Sequence, residues 1–214
     1  MPNNCSRNNS SQNTHDEIQR VTINHYESNA ESFWQGTRDH DVSQNISAFL
    51  HALPCDRVLD ILDFGCGPGR DLVKFKQLGH YATGLDGSES FCKMAHEYSG
   101  CPVLNQQFLN LDLEVGSFDG IYANASMFHV PSQELPQVLA ACHRALRTGG
   151  VLFTSNPRGA AEGWQGERYG HYMEFEVSKT YLEQAGFNIY DHYYRPEGKP
   201  RNEQPWLAIV CQRD

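Results

Sequence analysis

The chain has 214 residues, enough to bury a sizeable core as a single domain. Its formal charge of −9 at pH 7 argues against nucleic acid or an anionic membrane as a general partner, and no apolar run approaches the ~20 residues that span a bilayer. Seven cysteines with no CxxC pair read as reduced thiols of a cytoplasmic protein, and ten histidines without HxxxH or HExxH spacing predict no metal site.

In chain order, MPNNCSRNNSSQN lacks the apolar core of a signal peptide, and its Asn/Ser-rich composition predicts a disordered tail over residues 1–16. Residues 17–54 predict a polar-aromatic helical lid, packed over the edge of a core that occupies 55–214. Val58 to Phe64 reads as a buried strand. Asp71 to Leu78 reads as a helix with Leu72, Phe75 and Leu78 on one face, ended by Gly79. Tyr81 to Leu85 is a second strand, and Ser88 can cap a helix that runs to about Tyr98. Pro102 to Phe108 and Phe118 to Ala123 are the third and fourth strands. Leu135, Val138, Leu139, Cys142 and Leu146 keep the helical period, and Gly149-Gly150 predicts the stop of that helix. Val151 to Ser155 is a fifth strand. SNPRGAAEGWQGERYG (155–170) shows neither period and reads as a loop. A helix near Ser178 to Ala185 ends at Gly186, and Phe187 to Tyr194 and Trp206 to Gln212 are two last strands with no helix between them. The alternation predicts an α/β fold: a doubly wound, Rossmann-like, seven-stranded, mostly parallel sheet with an antiparallel terminal strand. Ligands of such sheets sit at the carboxyl ends of the strands, where strand order reverses.

Asp63-Phe64-Gly65-Cys66-Gly67-Pro68-Gly69-Arg70 follows the first strand and opens a helix. Its glycines let the backbone turn sharply and approach a ligand. The spacing is G-x-G-x-G; Arg70 stands where a dinucleotide fingerprint needs a small residue, and the G-K-[ST] of a phosphate loop is missing. Asp86, followed by Gly87, lies about twenty residues on, where an acid accepts hydrogen bonds from ribose hydroxyls. The pattern fits a nucleoside without pyrophosphate, and S-adenosylmethionine is the strong candidate. The glycine loop would pass its amino-acid tail, Gln107 and Phe108 would meet the adenine, and Asn124 and Ala125 would approach the sulfonium. The plainer readings are a helix cap for Asp86 and a solvated side chain for Arg70.

LDFGCGPGR, GLDGS and FDGIYAN together resemble a class I S-adenosylmethionine-dependent methyltransferase over roughly residues 57–212. Four further segments, FWQGTRDHDVSQN, ANASMFHVP, SNPRGAAEGWQGERYG and YYRPEGKPRNEQPWLA, resemble the methyltransferase of ovothiol biosynthesis in its stand-alone form. That resemblance implies methylation of a ring nitrogen of 5-thiohistidine, a small-molecule substrate. Its α-carboxylate would suit Arg38 or Arg158, and proton transfer His129 or His40. Asp41, Asn45, Met127, Asn156, Tyr169, Tyr194 and Arg195 complete the candidate substrate residues. The alternatives are a class I methyltransferase for another small metabolite, a nucleotide-binding oxidoreductase, and a binding protein without catalysis.

Overall fold

The structure is a computed structural model that describes residues 5–214, with side chains described from residue 14 onward. Three helices come first: α1 (Cys5–Ser28), α2 (Ala30–Thr37) and α3 (Ser43–His51). The core follows as β1 (Asp60–Phe64), α4 (Arg70–Gln77), β2 (Tyr81–Asp86), α5 (Glu89–Ser99), β3 (Val103–Asn105), β4 (Phe118–Asn124), α6 (Leu135–Ala145) and β5 (Leu146–Pro157). The chain ends with β6 (Glu162–Gln165), β7 (Arg168–His171), α7 (Phe175–Gln184), β8 (Phe187–Arg195) and β9 (Trp206–Arg213). Seven strands form one sheet in the order β3-β2-β1-β4-β5-β9-β8. β1 to β5 pair in parallel; β9 slots between β5 and β8 and runs antiparallel to both. The expected doubly wound fold, with its last strand antiparallel, is present. The order reverses between β1 and β4, so the cleft expected of such a sheet opens above the ends of these two strands.

Strand alternation fills both faces. Leu62, Phe64, Ile121, Ala123 and Leu152 point to the side covered by α6 and α7, where they meet Val138, Leu139, Cys142 and Leu182. Ile61, Tyr122, Val151 and Phe153 point to the other, against Phe49, Leu72, Phe75 and Ala95 of α3, α4 and α5. Phe49 is fully buried and sits over Gly120 of β4, where a Cβ would come within 2.4 Å of its ring. A helix before the core is thereby locked onto the central strand; truncating such a buried phenylalanine costs about 3–5 kcal/mol. Ser88 caps α5 by accepting from the Phe91 N–H, and Gly100 closes it at φ +65°.

Four sequence expectations need correction. Residues read as a tail lie in α1, which starts at Cys5; residues 1–4 fall outside the described ones. The helix is anchored further along, where Ile18, Gln19 and Thr22 are buried. The third strand shortens to Val103–Asn105, because the Gln106 amide pairs with the backbone of Asp112 and folds the chain away from the sheet. The helix before Gly149-Gly150 ends at Ala145: Leu146 is already extended and pairs with Phe118, and the glycines lie within β5, where β4 shifts register. Finally, the 155–170 stretch holds a hairpin, β6 paired with β7, turned at Gly166 with φ +67°. Its cross-strand pairs include Gly163 opposite Gly170, which hid the alternation, and Trp164 opposite Tyr169.

Candidate functional site

Two clefts flank the glycine loop at the carboxyl edge of the sheet. The first has about 720 Å³ of empty space and the second about 1260 Å³, and both are lined by Phe33, Gly65, Gly67 and Ala125. The loop is shaped by its own geometry. Gly65 sits at φ +77°, and a Cβ there would lie 2.3 Å from the Ser126 Cβ. Gly69, at φ +91°, lines neither cleft; it lets α4 touch the Ala95 backbone of α5, so its place in the motif is a packing one. Ala125 holds φ +60°, a conformation that strains a residue with a Cβ, at the junction of the clefts.

The first cleft is the one Asp86, Gly87, Gln107 and Phe108 line. Asp86 accepts from the Gly67 N–H at 3.0 Å and the Ser88 N–H at 2.9 Å, tying the end of β2 to the loop. Burial pushes its carboxyl up to about 6 against these stabilising backbone donors. Phe108 stacks on Phe64, ring centroids 4.4 Å apart, and presents an aromatic wall. α1 and α2 contribute Gln19, Thr22, Ile23, Tyr26 and Phe33 to the same cleft. The sequence predicts a lid over this part of the chain without singling out these residues. The polar-aromatic character of the segment was the available signal.

The second cleft carries Asp63, Cys66, Arg70, Asp71 and Asn124 below and His40, Asp41, Arg195 and Trp206 among its other walls. The Asp63 Oδ2 and the Ser155 Oγ are buried without a hydrogen-bond partner. Burial, then the neighbouring Asp71, raises the Asp63 carboxyl well above the ordinary carboxylate range. Arg70 grips Asp71 through Nε and Nη2 at 2.7 and 3.0 Å and donates from Nη1 to the Thr37 carbonyl at 3.0 Å. A guanidinium has five N–H donors, so two remain to meet a carboxylate. Cys66 lines the cleft, but burial raises its thiol and keeps it unreactive.

An unpartnered buried carboxylate oxygen, spare guanidinium donors and a ribose-type acid around one glycine loop fit a zwitterionic amino-acid tail joined to a nucleoside. Asp63 suits the ammonium, Arg70 the carboxylate and Asp86 the ribose. These residues fit S-adenosylmethionine. Among the described residues no group of three or more His, Cys, Asp or Glu is arranged to hold a metal ion, and no helix is long and apolar enough to cross a membrane.

Of the expected substrate and proton-transfer residues, His40, Asp41 and Arg195 reach the second cleft and His129 the first, and Arg195 donates to the Asp41 carbonyl at 3.0 Å. Arg38 lies exposed at the end of α2, beside Asp39. Asn45 is fully buried, with its amide between Asn124 and Tyr193, both at 2.9 Å. Met127 is core. Asn156 accepts from the Phe128 N–H and lines only small side cavities. Arg158 holds its own surroundings: Nε donates to the Gln204 carbonyl at 2.6 Å, Nη2 to the Arg201 carbonyl, and Nη1 to Glu174 at 3.0 Å. Tyr194 packs against Arg158 and Arg201 in the same knot, and the Tyr169 hydroxyl donates to Glu162 within the hairpin.

His129 lines the first cleft, but both its ring nitrogens are engaged. Nδ1 donates to the Tyr169 carbonyl at 2.6 Å, and Nε2 accepts from the Tyr26 hydroxyl at 2.8 Å. Burial pushes its pKa down to about 4. Through these two bonds it joins α1, the turn after β4 and the hairpin.

Residues 61–150 match the family model described as a methyltransferase domain. The sterol 24-C-methyltransferase of Candida albicans is 24% identical over 192 residues, covering 86% of this chain and 48% of the relative. The chain spans about half the length of the first curated relatives it matches. Among solved structures, the 1,6-didemethyltoxoflavin-N1-methyltransferase of Burkholderia thailandensis, with 1,6-didemethyltoxoflavin and S-adenosylhomocysteine bound, superposes with a TM-score of 0.75 at 22% identity, over 93% of this chain and 90% of that one. An S-adenosylmethionine-dependent methyltransferase of Mesorhizobium loti gives 0.67 at 20% identity, over 78% and 96%.

Proposed function

We propose that this chain, which carries a methyltransferase domain of the class I, S-adenosylmethionine-dependent fold, methylates a ring nitrogen of a small zwitterionic heterocycle bound in the second cleft, and that 5-thiohistidine is that substrate. The observation that carries the reading is the meeting of Arg195, Asp41, His40 and Trp206 in one cleft with the glycine loop. When bound, S-adenosylmethionine supplies an electrophilic methyl group on a sulfonium. The protein then has to hold a neutral ring nitrogen in line with that methyl and to exclude competing nucleophiles; alignment of this kind can be worth ~7–11 kcal/mol.

Arg195 offers a guanidinium to the substrate carboxylate, and Asp41 a carboxylate to its ammonium. Trp206 gives the heterocycle a flat apolar wall. The thiolate of thiohistidine is a better nucleophile than its nitrogen, so it needs a partner of its own; the unpartnered Ser155 hydroxyl is one donor lining this cleft that can supply it. His40 lines the same cleft and is the imidazole we assign to take the ring proton. The structural neighbour named for N1-methylation of a small heterocycle supports attack by ring nitrogen. A sterol acceptor, suggested by the names of several relatives, fits poorly with a cleft whose walls carry Asp41, Arg70, Asp71 and Arg195.

The test is turnover of 5-thiohistidine against histidine and a heterocycle panel, with the methylated atom located by NMR. The reading expects methyl on ring nitrogen and at least tenfold preference over histidine. It also expects Arg195→Ala to raise KM about tenfold or more, the loss of a charge-assisted pair, with S-adenosylhomocysteine binding unchanged. Methyl found on sulfur, or no turnover by a chain that binds S-adenosylhomocysteine, refutes the assignment.

A further inference from the structure

The first cleft contains a side chain whose hydrogen bonds copy those of a purine. Gln19 of α1 is 9% exposed and lines this cleft with Gln107, Phe108 and Leu109. Its Oε1 accepts from the Leu109 backbone N–H at 2.9 Å, and its Nε2 donates to the Gln107 Oε1 at 2.8 Å. A backbone N–H can only donate. It therefore fixes which end of the Gln19 amide is oxygen, and the remaining Gln19 N–H in turn fixes the Gln107 oxygen as an acceptor. Side by side, the segment after β3 thus presents one donor and one acceptor.

The Watson–Crick edge of adenine carries the complement, a ring nitrogen that accepts beside an amino group that donates. A primary amide carries the same pair. Asp86 lines the same cleft for the ribose, and Phe108 supplies the flat wall.

We propose that Gln19 is an internal stand-in for adenine: its amide occupies the Leu109 N–H and the Gln107 oxygen, the pair that reads the purine of the cofactor, and yields them when the cofactor docks. The device keeps both groups paired within the protein in the cofactor-free chain. It also places a residue of the N-terminal helix in direct competition with cofactor. The helix does not depend on this contact. Thr22 accepts from the Tyr169 N–H, Tyr26 donates to His129, and Glu27 accepts from Ser88 and Ser90, so the Gln19 side chain can swing out while α1 stays docked. The inference rests on the first cleft being the adenosine side of the cofactor site, and not on the identity of the methyl acceptor.

Calorimetry with S-adenosylhomocysteine and S-inosylhomocysteine tests it. Hypoxanthine places a donor and an acceptor where adenine has an acceptor and a donor, so the wild-type chain should bind the inosyl ligand at least tenfold more weakly. Gln19→Ala and Gln19→Met should bind S-adenosylhomocysteine about tenfold more tightly than wild type, because the competitor is gone. Met keeps the length of the side chain and decides the matter if the alanine variant does not fold. A folded variant with unchanged or weaker affinity overturns the stand-in role and leaves Gln19 as packing or as a cofactor contact. Equal wild-type affinity for the two purines overturns the assignment of the reading pair itself.

Discussion

Arg158→Ala separates two roles for the arginine in SNPRG. In the structure the side chain is 17% exposed and lines neither main cleft. Its Nε and Nη2 donate to the carbonyls of Gln204 and Arg201, its Nη1 meets Glu174, and its guanidinium lies 5.7 Å from the Tyr194 ring centroid. Glu174 is 48% exposed, so that ion pair contributes only ~0.5 kcal/mol. The two charged-donor bonds to carbonyls contribute at least ~1 kcal/mol each, and stacking on Tyr194 adds a few tenths. Truncation should therefore cost about 3 kcal/mol. At ~2–4 °C per kcal/mol for a domain of this size, the expected fall in Tm is ~6–12 °C. Differential scanning calorimetry reads that fall, and steady-state kinetics well below the new Tm should give a substrate KM within about twofold of wild type. A tenfold rise in KM with a Tm change under about 2 °C would show that Arg158 serves the substrate, and would refute the reasoning from its contacts.

Two further predictions concern pH. We propose that Asp86, raised to about 6 by burial, accepts both ribose hydroxyls in its ionised form; S-adenosylhomocysteine affinity should then weaken about tenfold between pH 7.5 and 5. Its folded pKa lies above the ~3.9 of an unfolded aspartate, so its own contribution to stability is present below pH ~4 and is lost as pH rises through 6. A pH-independent Kd measured by calorimetry would contradict this. Asp119 behaves in the opposite sense. Burial would raise it, but Arg57, the Asp60 N–H and Arg147 together hold it at about 2. Its contribution is full above pH ~4 and is lost as pH falls towards 2. The Tm gap between wild type and Asp119→Asn should be widest near neutrality and shrink across that acid window; a constant gap would exclude the mechanism.

What could be read from the sequence is what neighbours in the chain decide. The order of strands and helices follows from periodicity, and the Ser88 cap joins residues only three positions apart. Asp86 could be placed because the βαβ connection fixes where the second strand ends relative to the glycine loop, to which it is bonded through Gly67. The substrate side was different. A polar side chain announces in sequence that it needs a partner, but not which one. Arg158 found carbonyls 43 and 46 positions away, Asn45 found Asn124 79 positions away, and His129 found Tyr26 103 positions away. Each of these pairings uses up a group that looked available. Gln19 shows the converse: it carries no motif, and only the packing of α1 beside the segment after β3 brings its amide to Gln107 and Leu109. By itself, then, the sequence determined the sheet and the glycine loop after its first strand, because local geometry dictates them. The tertiary structure alone decided which polar groups remain free to meet a ligand, because hydrogen-bond partners are allotted by proximity in space and each donor can be spent only once.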